Sequence, residues 1–176
     1  MKKPFSRILV PLDLTSMDTL LIRYTSFLAQ HLQPDHISFI HIMESYNLPK
    51  EVASIFDDLE EPVDEIIRKE VSLEVNEHYQ GTEATETSVQ VQEGNPTDLL
   101  LREADRTDTD LMIMGKKTGF QGKGILTGQV TRLIHCSALI LPETSSFQLS
   151  KIQVPVDFSR HSKSALRQAL NIAEYT

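Results

Sequence analysis

The chain has 176 residues, 25 acidic against 17 basic side chains, a formal net charge of −8, one cysteine and 40% hydrophobic residues. Its mean hydropathy is −0.22, with no apolar run near the roughly 20 residues of a membrane helix and no charged-then-apolar leader, which argues against membrane and secreted classes and for a cytoplasmic location. The lone Cys136 has no partner for a disulfide or a thiolate zinc cluster, and the negative charge argues against general nucleic-acid binding, which needs clustered Lys and Arg.

Arg7 to Leu12 (RILVPL) is a short branched apolar run that predicts a strand, and Thr15-Ser16 is a cap signal for a helix from about Met17 to His31. Pro34-Asp35 breaks the chain before a second strand, His36 to Met43 (HISFIHIM), and Asn47 to Lys50 reads as a loop. A short helix is expected over Glu51 to Glu61, and Pro62 opens another, with Val63, Ile66, Ile67, Val71 and Val75 on one face. Glu86 to Gln92 (ETSVQVQ) alternates like a half-solvated strand, and Gly94-Asn95-Pro96 turns it into a helix from Thr97 to about Arg106. Asp110 to Met114 predicts a buried strand, Gly115 to Gly124 a loop of Gly and Lys, Ile125 to His135 a helix and Ala138 to Leu141 a last strand. Five strands alternating with helices predict an α/β fold, a five-stranded parallel sheet flanked by helices, because parallel neighbours need crossover connections.

Charge is unevenly spread. Residues 51 to 110 hold eighteen acids against Arg68, Lys69, Arg102 and Arg106, whereas residues 111 to 142 hold no acid and carry Lys116, Lys117, Lys123 and Arg132. An anion would be drawn to the second stretch; its lysines could equally be a solvated loop.

Lys151 to Ala173 (KIQVPVDFSRHSKSALRQALNIA) lies over Arg7 to Ala29 with a constant offset of 144 and no gap. Ile8, Val10, Pro11 and Asp13 recur as Ile152, Val154, Pro155 and Asp157, and Arg23 and Ala29 as Arg167 and Ala173. The expected organisation is a domain over residues 1–145, a linker over 146–150, and the first strand and helix of an incomplete second copy over 151–176, as in a fragment of a tandem protein. That segment should pack on the first domain, pair with another chain or stay mobile.

In an open parallel sheet, ligands bind outside the carboxyl ends of strands where the strand order reverses. Asp13 ends the first strand and Gly115 the fourth, offering a carboxylate to a base or sugar and a bare backbone to phosphate. Asp13 could equally be a turn or N-cap residue.

At this point the chain resembles the universal stress protein family. The residues that carry the likeness are Pro11-Leu12-Asp13-Leu14-Thr15, Phe39-Ile40-His41-Ile42-Met43, Glu93-Gly94-Asn95-Pro96 and Asp110-Leu111-Met112-Ile113-Met114-Gly115, in order and at suitable spacing over residues 5 to 142. The resemblance implies a fold like that of adenine-nucleotide-binding (adenine-nucleotide-hydrolase-like, Rossmann-like) proteins, a role in stress response, and dimerisation through the last strand, here Ala138 to Leu141. It further implies ATP or AMP as ligand, with Mg2+ only alongside ATP.

ATP-binding members carry Gly, two residues, Gly, nine residues, Gly, then Ser or Thr. Here Gly115 and Gly128 match, Thr118 replaces the second glycine, and Gln129 replaces the hydroxyl residue. By the same resemblance Asp13 and Ile42 would contact adenine; the charges of Lys116, Lys117 and Lys123 favour nucleotide binding, and Thr118 and Gln129 disfavour it. A module of the same fold without a nucleotide, whose partner is a protein or a second domain, is the alternative. No general base beyond Asp13 is evident, so catalysis is expected to be at most slow ATP hydrolysis. The P-loop and dinucleotide fingerprints fail, and His31, His36, His41, His78, His135 and His161 form no zinc-site spacing. His41 is expected as a packed strand-end residue and Cys136 as a buried small apolar one.

Overall fold

A computed structural model describes residues 3–44, 62–117 and 125–175. Strand β1 (Arg7–Leu12) is central, because its side chains are apolar on both faces and find a helical layer on each. It is followed by α1 (Ser16–Leu32), β2 (His36–Met43), α2 (Val63–His78), β3 (Glu86–Glu93) and α3 (Pro96–Arg106), then β4 (Leu111–Lys116), α4 (Ile125–Leu133), β5 (Ser137–Pro142) and α5 (Arg160–Ala173). The sheet order is β3-β2-β1-β4-β5, with every neighbouring pair parallel.

The two-residue period of the strands divides the core. Ile8, Val10, Leu12, Ile37, Phe39, Leu111 and Ile113 meet α1 and α2 through Leu21, Ile22, Leu28, Val71 and Val75. Leu9, Ile40, Met112 and Met114 face the other way, against Leu100 and Ala104 of α3 and Val130 of α4, in a smaller cluster.

Local chemistry fixes the joints. Thr15 caps α1, its hydroxyl accepting from the Met17 N–H at 3.4 Å, and Gln33 closes it in a left-handed conformation (φ 47°), its N–H donating to the Ala29 carbonyl. Asn95 caps α3 through the Asp98 N–H at 3.1 Å, with Pro96 in the first turn. Gly94 before it has φ 142°, a conformation that side chains avoid, and a Cβ there would stand 3.1 Å from Leu99. The Asp110 carboxylate accepts from the Ser6 and Arg7 N–H groups at 2.8 and 2.9 Å, tying the start of β1 to that of β4.

The five strands and their helices follow the sequence reading with adjusted ends. Gly115 and Lys116 belong to β4 rather than to a loop, because Leu141 and Pro142 of β5 continue alongside and pair with them. α4 stops at Leu133, short of His135. The short helix expected over Glu51 to Glu61 lies outside the described residues, as do Thr118 and Lys123 of the Gly and Lys loop.

The incomplete second copy is not seen as a second sheet. Residues 151–157 form no strand, for the physical reason that an isolated strand has no neighbour to take its backbone hydrogen bonds, and Val156 and Phe158 remain exposed. The helix of the repeat does form, as α5. The turn before it repeats the one after β1: Leu14 (φ 56°) and Phe158 (φ 65°) are both left-handed, each followed by the N-cap, Thr15 or Ser159. The expected linker lies on α1, where Phe147 packs on Tyr24 and Phe27 with ring centroids 5.7 and 6.3 Å apart and the Arg23 guanidinium sits over the Phe147 ring. Leu149, Ile172 and Tyr175 pack against the larger cluster, and the Gln168 side chain donates to the Pro4 carbonyl at 3.1 Å. These contacts place the helix of this segment on the first domain.

Candidate functional site

The chain leaves β1 toward the α1 face of the sheet and β4 toward the α4 face, so a crevice opens between their carboxyl ends. It has a volume of about 540 Å3. Its walls are largely apolar, built by Leu12, Met17, Ile40, Ile42, Leu100 and Met114, and its polar lining is Asp13, Asp18, Glu44, Lys117 and Thr127.

Asp13 and Lys117, from the ends of β1 and β4, meet across this opening, with Lys117 Nζ 2.8 Å from Asp13 Oδ2. The Thr15 hydroxyl donates to Asp13 Oδ1. Burial pushes the Asp13 carboxyl up, but the Lys117 hydrogen bond, the Thr15 hydroxyl and the charge of Lys117 outweigh it and hold the group below its ordinary value. Because Thr15 is the N-cap, Asp13 is released from that role and its carboxylate stands at the cleft.

Asp18 is the acid beneath. It is 1% exposed, and its carboxylate accepts from the Leu14 N–H at 2.7 Å and from the Asp13 N–H at 3.1 Å, bracing the left-handed turn at Leu14. Burial drives its pKa up to about 7, with the negative charges of Asp13 and Glu74 adding to the rise and the two backbone donors offsetting part of it. Two neighbouring carboxyls are thus driven apart, one held ionised and the other titrating near neutrality.

Gly115 is required by packing, since a Cβ there would lie 2.6 Å from Met17 Cγ. Its carbonyl accepts from the Thr127 hydroxyl at 3.1 Å, which ties the first turn of α4 to the end of β4. Of the residues singled out in the sequence, Asp13, Ile42, Gly115 and Lys117 come together in the cleft lining. Lys116 and Gln129 are exposed and outside that lining, and Gln129 Oε1 accepts from the Thr97 hydroxyl at 3.4 Å on α3. Gly128 follows the cleft-lining Thr127, and a Cβ on it would meet nothing within 4 Å. Thr118 lies outside the described residues.

His41 is buried and its Nδ1–H donates to the Leu12 carbonyl at 3.0 Å, the packed strand-end role expected of it. Cys136 is half-buried against the smaller cluster, and burial pushes its thiol up. Asp18, Met17, Glu44 and Thr127 were not anticipated. For Asp18 a signal existed: Thr15-x-x-Asp18 is a capping-box spacing, which places an acid where it can turn back onto backbone N–H groups preceding the helix.

Comparison with known proteins matches residues 4–142 to the universal stress protein family. No curated protein matches the sequence. Among solved structures, a universal stress protein in complex with cAMP is 15% identical, with a TM-score of 0.55 over 78% of this chain and 97% of that one. The universal stress protein UspA from Lactobacillus plantarum is 16% identical, with a TM-score of 0.55 over 77% and 97%. A universal stress protein from Archaeoglobus fulgidus in complex with dAMP is 12% identical, with a TM-score of 0.50 over 76% and 95%. At these identities the structures share a fold with this chain. Among the described residues, no helix is long and apolar enough to cross a membrane.

Proposed function

The chain belongs to the universal stress protein family, and from that premise we propose that its cleft binds an adenine nucleotide, AMP or ATP. The observation that carries the reading is the pairing of Asp13 and Lys117 over an apolar floor of Ile40, Ile42, Leu100 and Met114, where the strand order reverses. A planar base needs apolar walls, its sugar or exocyclic amine an acceptor, and its phosphates a cation, and these three are within one crevice. The relatives crystallised with cAMP and dAMP support the choice of adenine.

In this reading Ile42 lies against the base and Asp13 accepts from the sugar or the exocyclic amine. Gly128 leaves room for phosphate, Gly115 offers its bare backbone at the end of β4, and Lys117 carries the charge. Thr118 keeps its place in this reading by the family spacing alone, whereas Lys116, by its charge, and Gln129 act from outside the lining. Mg2+ enters only as the companion of ATP. The protein acts in the cytoplasm in stress response.

Titration calorimetry of the full chain with AMP and ATP is expected to give saturable binding that Asp13→Ala weakens at least tenfold, the worth of a lost hydrogen bond to a charged group. Absence of heat at millimolar nucleotide would overturn the reading in favour of an interaction module with no ligand in this domain. We also read residues 151–173 as a duplicate of the β1–α1 unit, on the shared left-handed turn at Leu14 and Phe158.

A further inference from the structure

The lining of the cleft has an unbalanced charge. Asp13 and Glu44 bring negative charge to it, with the Asp18 acid beneath them, and Lys117 is the cation that the described residues supply. Its ammonium already has a partner: it is bound to Asp13 Oδ2 at 2.8 Å, while Oδ1 of the same carboxylate takes the Thr15 hydroxyl. A phosphate entering this crevice therefore competes with Asp13 for one ammonium and meets uncompensated carboxylates unless it wins. A neutral nucleoside brings no such competitor.

We propose that Lys117 is the specificity-determining residue of the cleft, a latch whose ammonium passes from Asp13 to the ligand's phosphate, so that phosphorylated ligands open the ion pair and unphosphorylated nucleosides leave it closed. The inference rests on the nucleotide-binding reading and goes beyond it, because it assigns the discrimination to one ion pair. The exchange is physically reasonable on two counts. Lys117 sits on a long flexible stem just past β4 and belongs to neither core cluster, so its head group can move without unpacking the core. Asp13, braced by Thr15 and by the turn that Asp18 holds, stays in place when the ammonium leaves and becomes free to accept from the ligand.

The pair makes opposite demands on two ligands, which gives the test its sign. Calorimetry of the full chain with AMP and with adenosine is run on the wild type, K117M and K117R. The wild type should prefer AMP. K117M should lose about tenfold or more in AMP affinity, the worth of a charge-assisted hydrogen bond, and bind adenosine as well as or better than the wild type, since Asp13 is then unlatched. K117R should keep the preference for AMP. Thermal melts confirm that each variant is folded, and K117Q replaces K117M if the latter is not. Equal changes for both ligands, or none, overturn the latch while leaving nucleotide binding intact. Adenosine binding gained only in K117M supports the latch even if the wild type binds weakly. Failure of every protein to bind either ligand overturns both readings.

Discussion

Replacing Asp18 by Asn should change how the stability of the protein depends on pH. In the folded chain burial raises the Asp18 carboxyl from 3.8 to about 7. Between those values the folded state holds a proton that the unfolded state has released, so stability falls as pH rises through the window and is lowest above about pH 7. Each pH unit is worth at most about 1.4 kcal/mol, so the stretch from pH 5 to 7 carries up to about 3 kcal/mol, and relaxation around the half-exposed Asp13 should reduce this to about 1–2 kcal/mol. Asp13, Asp35 and Glu103, whose values are lowered, act in the opposite sense, but they have finished titrating below pH 5. Asn keeps a carbonyl oxygen for the Leu14 N–H and carries no charge, so D18N should remain folded and lose this part of the slope. Urea denaturation of both proteins at pH 5, 6, 7 and 8 gives the comparison. The difference in stability, variant minus wild type, should move in favour of D18N by about 1–2 kcal/mol over that range. Parallel profiles would show that Asp18 is ionised throughout and refute the account of a neutral acid beneath the cleft.

At the mouth of β4, Gly115→Ala places a methyl 2.6 Å from Met17 Cγ, and thermal melting should show a loss of about 1–3 kcal/mol from overpacking; an unchanged melting temperature would mean that Met17 moves aside freely. Asp110→Ala removes the acceptor for the Ser6 and Arg7 N–H groups and should cost about 1–2 kcal/mol in urea denaturation, with faster hydrogen exchange at the start of β1. Phe147→Ala should speed proteolytic cleavage within residues 143–158, because it removes the ring contacts with Tyr24 and Phe27 that hold this stretch on α1. We further propose self-association through β5, an outer strand whose Ile140 is 39% exposed; light scattering should find a dimer that Ile140→Lys dissociates, and a monomer at high concentration would overturn it.

What could be read from the sequence tracks how local its physical cause is. The strands of the sheet, the cap at Thr15 and the turn at Gly94-Asn95-Pro96 depend on runs and short-range chemistry, and they appear where the residues predict them. That Gly115 and Lys116 are paired strand depends on how far β5 runs beside them, a distant fact that their own composition does not carry. The site divides in the same way. Asp13 is found by its position at a strand end and Ile42 through the family resemblance, while the Asp13–Lys117 bridge joins residues 104 apart in the chain and is visible only once β1 and β4 are neighbours. Asp18 lay in plain view as a capping-box acid, but its near-neutral titration comes from burial and from the charges of Asp13 and of Glu74 on α2. The strand expected at the start of residues 151–176 is not formed, because matching side chains cannot supply the neighbouring backbone that a strand requires.

The sheet divides the interior unequally: the layer under α1 and α2 is thick, and the one under α3 and α4 is thin. Leu126 and Thr127, which form one wall of the crevice, are anchored in the thin layer through Val130, the one buried residue among the described side chains of α4. Local opening costs least where the least apolar surface must be uncovered. The crevice thus has one firm jaw and one yielding jaw, and a ligand gripping both would act as mortar for the weaker, so slower amide exchange in α4 is a sign of occupancy that can be read without knowing what has bound.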